Sequence, residues 1–392
     1  MSLLSVDNVT HRYPTTTSEL PVLNGVSLDV EPGSVVAVVG ESGCGKTTLG
    51  RLVVGLVKPM AGEVRYEGND IWGLPKKKWE NYRRSVQVIH QDPYASLNPG
   101  LTVEDTLKAA LLYHNIVRRR DLRAELLRLL DMVDLEASSS FLRRYPHMLS
   151  GGQRQRLVIA RAMGLRPRLV VADEAVSMLD VSMRVSVLDL LLSLRSEEQL
   201  AYVFISHDFG VVRYFARTGR IVVMFFGVVV EEGPSEQVIS HPRHPYTFLL
   251  LDAIPVPDPK LAHRRRAEAT KMAEERVTGE PSATGCVFAN RCPFVEEKCR
   301  SEVPPLVDVM PGERHRAACW FPERVPDLQT LVELSFQGPD GAGTEGGNGQ
   351  NDGKSQKGST DDATDGSGPS AAWVGPAGVG RTRAPAPDPQ PG

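Results

Sequence analysis

Gly40-Glu41-Ser42-Gly43-Cys44-Gly45-Lys46-Thr47, followed by Thr48, fits the spacing G-x-x-x-x-G-K-[ST]. Such a run suits a nucleoside triphosphate. Its glycines let backbone amides wrap closely around phosphates, and a following helix adds its positive N-terminal end. Lys46 is placed to reach the β- and γ-phosphates, and the Thr47 hydroxyl to ligate Mg2+. Downstream, the apolar run Leu169–Ala172 ends in Asp173 and Glu174. Asp173 suits Mg2+ held through water, and Glu174 suits the orientation or deprotonation of an attacking water. A lone Asp-Glu pair would read as a solvated strand end; the phosphate loop gives this one its meaning. Cys44 reads as a small residue filling a variable loop position. The alternative is a redox switch, because a helix N-terminus lowers a thiol pKa. Four further cysteines, Cys286, Cys292, Cys299 and Cys319, have spacings C-x5-C, C-x6-C and C-x19-C. None forms the C-x2-C knuckle common in structural zinc sites, and the usual ferredoxin spacing is absent too. Spacing alone ranks an iron–sulfur cluster and zinc equal, with unligated thiols third.

The elements that must position these residues alternate in type. Ser34–Val39 reads as a short apolar strand leading through the Gly-rich turn into a helix over Lys46–Val54. Residues 102–145 read mostly as helix, with Leu126, Leu127, Leu129, Leu130 and Val133 at helical spacing. Leu169–Ala172 has the pattern of a buried parallel strand, Val185–Leu194 is helical, and Tyr202–Ser206 is strand again. This predicts an α/β core with a mostly parallel sheet, interrupted by a largely helical insertion. No internal repeat is visible, so one nucleotide-binding unit is expected.

Composition bounds the rest. The 392 residues carry 45 basic and 48 acidic side chains, a formal net charge of −3. That balance argues against a protein whose main task is coating nucleic acid or an anionic membrane. The longest apolar run, Ile221–Val230, is ten residues, and a spanning helix needs about twenty. The first residues show no basic segment followed by a long apolar one, so no signal peptide is expected. Four clustered cysteines without an export signal suggest a metal more than disulfides. From Gly338 to Gly392 there are 14 Gly and 7 Pro in 55 residues, with seven acids against four bases. Such a segment cannot offset its ordering entropy, which predicts a disordered tail carrying the whole net charge.

Between the two phosphate-site motifs stands Leu149-Ser150-Gly151-Gly152-Gln153. At this point the sequence resembles the ATP-binding subunits of ABC transporters, whose signature is L-S-G-G-Q. Other positions agree with that pattern. Gln91, in Val88-Ile89-His90-Gln91-Asp92-Pro93, looks like the Q-loop glutamine that contacts Mg2+ and water. Ser177-Met178-Leu179-Asp180 resembles the D-loop, with Asp180 at the dimer interface. His207, in Ile205-Ser206-His207-Asp208, resembles the switch histidine that meets the γ-phosphate and holds Glu174. Tyr13 fits the N-terminal aromatic that stacks on adenine. The match narrows to the oligopeptide/dipeptide importer group through Gln91–Pro99, Asp180-Val181-Ser182, His244-Pro245-Tyr246-Thr247 and Ala253–Pro259. Met148, Ala175, Met178 and Gly100 depart from the group's usual residues, yet none removes a group needed for hydrolysis.

The resemblance implies a P-loop NTPase core with an antiparallel β subdomain and a helical insertion at about 92–160, all within an ABC cassette over residues 1–260. It further implies a C-terminal extension at 261–330 carrying the four cysteines, before the tail at 338–392. The function implied is ATP hydrolysis that drives peptide import, with nickel or oligosaccharide import, or a soluble ABC ATPase, as alternatives. ATP and Mg2+ are the implied ligands. C-terminal extensions of this group carry the same cysteine pattern, which favours a [4Fe–4S] cluster over Zn2+. The implied partners are a second ABC ATPase subunit (a copy or a paralogue) paired head to tail, two transmembrane permease subunits and an extracytoplasmic substrate-binding protein, with no nucleic acid. The implied place of work is the cytoplasmic face of the inner membrane, as a peripheral protein.

Overall fold

The structure is a computed structural model, and it describes residues 2–14, 21–254, 281–282, 284–309, 312 and 314–328. The tail at 338–392 and Pro255–Pro259 lie outside the described residues.

Two sheets divide the work. The smaller is antiparallel and contains β1 (Leu4–His11), β2 (Leu23–Val30), β4 (Ala61–Tyr66) and β5 (Asn69–Asp70), in the order β2-β1-β4-β5. Between β2 and β4 the chain crosses to the main sheet as β3 (Val35–Val39), then turns into α1 (Lys46–Val53). All five residues of β3 are buried, as a strand covered on both faces requires.

α2 (Lys76–Ser85) leads into β6 (Val86–Ile89). A helical insertion follows: α3 (Pro93–Ser96), α4 (Val103–Tyr113), α5 (Leu122–Met132), α6 (Ser139–Leu142) and α7 (Gly151–Met163). The core of the insertion is built from Leu107, Leu111, Leu126, Leu129, Leu130, Phe141 and Leu157, all buried. The chain then returns through β7 (Leu169–Asp173), α8 (Val181–Glu198), β8 (Ala201–Ser206), α9 (Phe209–Phe215) and β9 (Arg220–Phe225). Strands β9, β3, β8, β7 and β6 lie side by side and parallel. The fold class and the insertion are therefore as the sequence implied. α8 begins four residues earlier than the periodicity predicts, because Asp180 caps it by accepting from Met183 N–H at 2.9 Å.

The ten-residue apolar run Ile221–Val230 is a hairpin. β9 turns back as the antiparallel β10 (Val228–Pro234). Phe226 and Gly227 at the turn both have positive φ, 41° and 78°, as a tight two-residue turn demands. α10 (Ser235–Ser240) and α11 (Pro245–Asp252) follow.

The cysteine-bearing segment is sewn to this sheet. After α12 (Glu297–Ser301), two short strands, β11 (Val307–Asp308) and β12 (Arg316–Ala317), form a hairpin whose second strand pairs with β10. Two acids sit under the seam. Glu231 is fully buried and lies 2.7 Å from His315 Nε2, also fully buried. It also accepts the N–H groups of Arg243 and His244, at 2.8 and 2.9 Å. Glu232, 2% exposed, accepts from Arg220 at 3.2 Å and from Arg316. Unpaired, such acids would cost several kcal/mol each.

Candidate functional site

The phosphate loop connects β3 to α1, and its shape excludes side chains at two places. Gly40 has φ 152°, and a Cβ there would fall 2.1 Å from the Met224 carbonyl oxygen. Gly45 has φ 106°, and its Cβ would fall 2.6 Å from the Val22 oxygen. Lys46, 5% exposed, donates from Nζ to the carbonyls of Gly40 and Glu41, each at 2.8 Å. Cys44 is buried 3.8 Å from that nitrogen, and burial pushes its thiol pKa up. A raised pKa keeps sulfur protonated and poorly nucleophilic.

The other reactive side chains come from the C-terminal ends of neighbouring parallel strands. The register pairs Ile89 with Ala172 and Asp173 with Ile205. Gln91, Asp173, Glu174 and His207 therefore leave the sheet at one edge, beside the phosphate loop at the end of β3. Thr47 Oγ1 donates to Asp173 Oδ1 at 3.2 Å. Desolvation pushes the Asp173 pKa above the usual carboxylate range, only partly offset by the Thr47 bond. Glu174 adopts a left-handed backbone, φ 49°, anchored by its N–H to the Ile205 carbonyl at 3.0 Å. A non-glycine residue held there costs about 1–3 kcal/mol and is over-represented at active sites. Its Oε1 lies 3.1 Å from His207 Nδ1. Gln91 is exposed. The Tyr13 hydroxyl lies 3.5 Å from Thr48 Oγ1, and the ring meets His11 edge-on at 4.9 Å.

Ser150 and Gln153 form a reciprocal capping box at the start of α7. Gly151 is open on its outer side, while a Cβ on Gly152 would strike Met183 Cε at 2.3 Å. The helix is pinned to the turn after β7 by Gln155 Nε2, which donates to the Ala175 carbonyl at 2.7 Å. Any residue supplies that carbonyl, so alanine at 175 loses nothing there. Met148 and Met178 are exposed, each 57%. The hydrogen bonds of Ser150 and Gln153 stay within their own helix end. Asp180 spends its carboxylate on the α8 cap and on Ser182.

The four distant cysteines converge. Cys286, Cys292, Cys299 and Cys319 line one small cavity of about 20 Å3, walled mainly by Phe288, Phe294, Trp320 and Phe321. All four are free thiols. Burial pushes the pKa of Cys286 up and those of Cys292 and Cys319 up to about 12. Among the described residues, no three His, Cys, Asp or Glu side chains are placed to hold a single metal ion. Sequence reasoning missed two neighbours of the phosphate loop: Tyr246, which accepts the Glu41 N–H, and Arg291, which grips the Glu41 carboxylate. No local pattern marks either residue for that role.

Residues 23–177 match the ABC transporter family, and residues 230–299 match the C-terminal region of oligopeptide/dipeptide transporters. A "Probable peptide ABC transporter ATP-binding protein" of Sinorhizobium fredii is 43% identical over 321 residues, 79% of this chain and 88% of that protein. The dipeptide transport ATP-binding protein DppF of Haemophilus influenzae is 43% identical over 288 residues, 74% of this chain and 86% of that protein. Among solved structures, the ATP-binding cassette MJ0796, a dimer in a post-hydrolysis state with ADP and Pi, matches with TM-score 0.52 and 28% identity. That match covers 59% of this chain and 98% of that chain.

Proposed function

The chain belongs to the ABC transporter family and is an ATPase, and from that premise we propose that its hydrolysis powers the import of peptides. The support is the kinship with proteins named for peptide and dipeptide transport, together with the C-terminal region typical of oligopeptide/dipeptide transporters. The observation that carries the chemistry is the Glu174–His207 contact at 3.1 Å, beside the Thr47–Asp173 bond at 3.2 Å.

In this reading residues 40–48 cradle the phosphates, Lys46 leaves its carbonyl partners for the β- and γ-oxygens, and Tyr13 stacks on adenine. Thr47, Asp173 and Gln91 would hold Mg2+, which would supply charge neutralisation on the transferring phosphoryl group. Glu174 takes the proton of the attacking water, and His207 Nδ1 keeps its carboxylate aimed. The Ser150–Gln153 helix end presents amides to the nucleotide of a second cassette, copy or paralogue, with Asp180 at the shared interface.

Among the described residues no helix is long and apolar enough to cross a membrane. A transport role therefore calls for permease subunits and a substrate-binding protein, with this chain docked on the cytoplasmic face. The proposed division is a cassette at 1–260, an extension at 261–330 and a tail at 338–392.

Four free thiols converging on one apolar-walled cavity support an iron–sulfur group as the reading. Cys286, Cys292, Cys299 and Cys319 would hold a [4Fe–4S] cluster that staples the extension. Iron and sulfide assays with a visible spectrum, on anaerobically purified protein, test it; colourless protein loaded with zinc refutes it.

The transport reading is tested by reconstitution with permease subunits that co-purify with the chain. Hydrolysis stimulated by a peptide-loaded binding protein supports it. Stimulation only by nickel or an oligosaccharide, or recovery with ribosomes instead of permeases, refutes it.

A further inference from the structure

Glu41, the second residue of the phosphate loop, is held by three separate groups. Its N–H donates to the Tyr246 hydroxyl at 2.8 Å. Its carbonyl accepts from Lys46 Nζ at 2.8 Å. Its carboxylate accepts both ends of the Arg291 guanidinium, from Nη1 at 2.9 Å and Nη2 at 2.7 Å. Arg291 belongs to the cysteine segment. It ends a short turn, Ala289–Arg291, that lies between Cys286 and Cys292. That turn is tied by Ala289 N–H to the Cys286 carbonyl at 3.0 Å, and by Cys292 N–H to the Ala289 carbonyl at 3.3 Å. The guanidinium lies 5.4 and 5.7 Å from the ring centres of Phe225 and Phe288. Phe288 lies within 5.4 Å of the Tyr246 ring and also walls the cysteine cavity.

A bidentate fork backed by aromatic rings fixes direction as well as distance. Both side chains of the pair are about a third exposed, so its value lies in geometry more than in Coulomb energy. The path is short and contiguous: the cysteine turn sets Arg291, Arg291 sets Glu41, and Glu41 sets the carbonyl that orients Lys46.

We propose that Arg291 is a positioning residue for nucleotide binding, which pre-orders the phosphate loop through Glu41 and couples ATP affinity to the four-cysteine pocket. This rests on the reading of residues 40–48 as the triphosphate site. Without the clamp, the loop is ordered only when nucleotide arrives, so the loss falls on affinity and spares the chemical step. Because coupling between sites is reciprocal, bound nucleotide in turn orders the cysteine turn.

The test compares full-length wild type, Arg291→Gln, Arg291→Lys, Glu41→Gln and the double variant Glu41→Gln/Arg291→Gln, each purified with whatever its cysteines hold. Arg291→Gln should raise KM for Mg-ATP about five-fold while kcat at saturation stays within about two-fold. Glu41→Gln should add nothing to Arg291→Gln, and Arg291→Lys should recover only part, because lysine lacks the fork. Hydrogen exchange across residues 284–299 should slow on addition of Mg-ATP in wild type and not in Arg291→Gln.

An unchanged KM in Arg291→Gln, additive losses in the double variant, or nucleotide protection that survives Arg291→Gln would each overturn the proposal. If Arg291→Gln melts before it can be assayed, Glu41→Gln must reproduce the KM rise alone, and its failure to do so is equally decisive. Wild type that binds no Mg-ATP would sink the triphosphate reading and this proposal together, whereas intact wild-type binding with an indifferent Arg291 sinks only the latter.

Discussion

Two regions pair a glutamate with a histidine, in opposite settings. At the strand ends, Glu174 and His207 meet at 3.1 Å with side chains 19% and 55% exposed. At the seam, Glu231 and His315 meet at 2.7 Å with both side chains fully buried, and Glu231 takes two backbone N–H groups besides. A solvated pair can part and re-form at small cost, whereas a buried one that parts leaves an unmatched polar group worth several kcal/mol. The same chemistry is therefore free to part in the first place and acts as a rivet in the second.

The largest expected effect breaks the solvated pair. Glu174→Gln should keep Mg-ATP binding and cut hydrolysis by about a thousand-fold, the scale of losing a general base; wild-type turnover in a folded variant would remove Glu174 from the mechanism. Next comes the rivet. Glu231→Ala should lower stability by about 3 kcal/mol, read as a shift in denaturant midpoint, with Glu231→Gln milder because it still accepts hydrogen bonds. A seam that tolerates alanine without loss would show that the two pairs are not opposites after all.

A third test uses pH. His244 is buried, caps α11 by accepting the Tyr246 N–H at Nδ1, and has its pKa pushed down to about 3 by desolvation. An unfolded histidine titrates near 6.5. The unfolded chain thus binds the proton first as pH falls. Stability is intact above about 6.5 and declines below it by about 1.4 kcal/mol per pH unit until the folded group titrates. His244→Asn keeps a capping oxygen and should flatten that slope in melts taken between pH 7 and 5. The smallest effect is at the exposed side: Tyr13→Ala should weaken ATP binding about five-fold by losing the stacking face, and Tyr13→Phe should not.

What could be read from the sequence follows sequence separation. The phosphate loop, the apolar strand into Asp173-Glu174 and the signature are each continuous, so residue order alone carries their chemistry. The hairpin inside Ile221–Val230 was already harder, because a turn through Phe226 and Gly227 hides in a run of uniform hydrophobicity. The seam was invisible: Glu231 and His315 are 84 residues apart, and two adjacent acids after an apolar strand look like a solvated strand end. Arg291 and Glu41 are 250 residues apart, and neither belongs to a pattern that mentions the other. The cysteines fell between these cases. Their count pointed to a shared site, and the cavity they line brings them together, yet their spacing could not choose the occupant.

The β11–β12 hairpin also guards the molecule against its own kind. Without it β10 would be the outermost strand of the main sheet, with an open row of N–H and C=O groups along an apolar segment, the template on which chains aggregate. Arg316 and Ala317 occupy that row instead. A chain ending before residue 307 would lose this cover and would strip Glu231 of His315 and Glu232 of Arg316. The expected product is a chain that self-associates through β10, because residues 307–317 complete the edge of a sheet whose other strands end by residue 234.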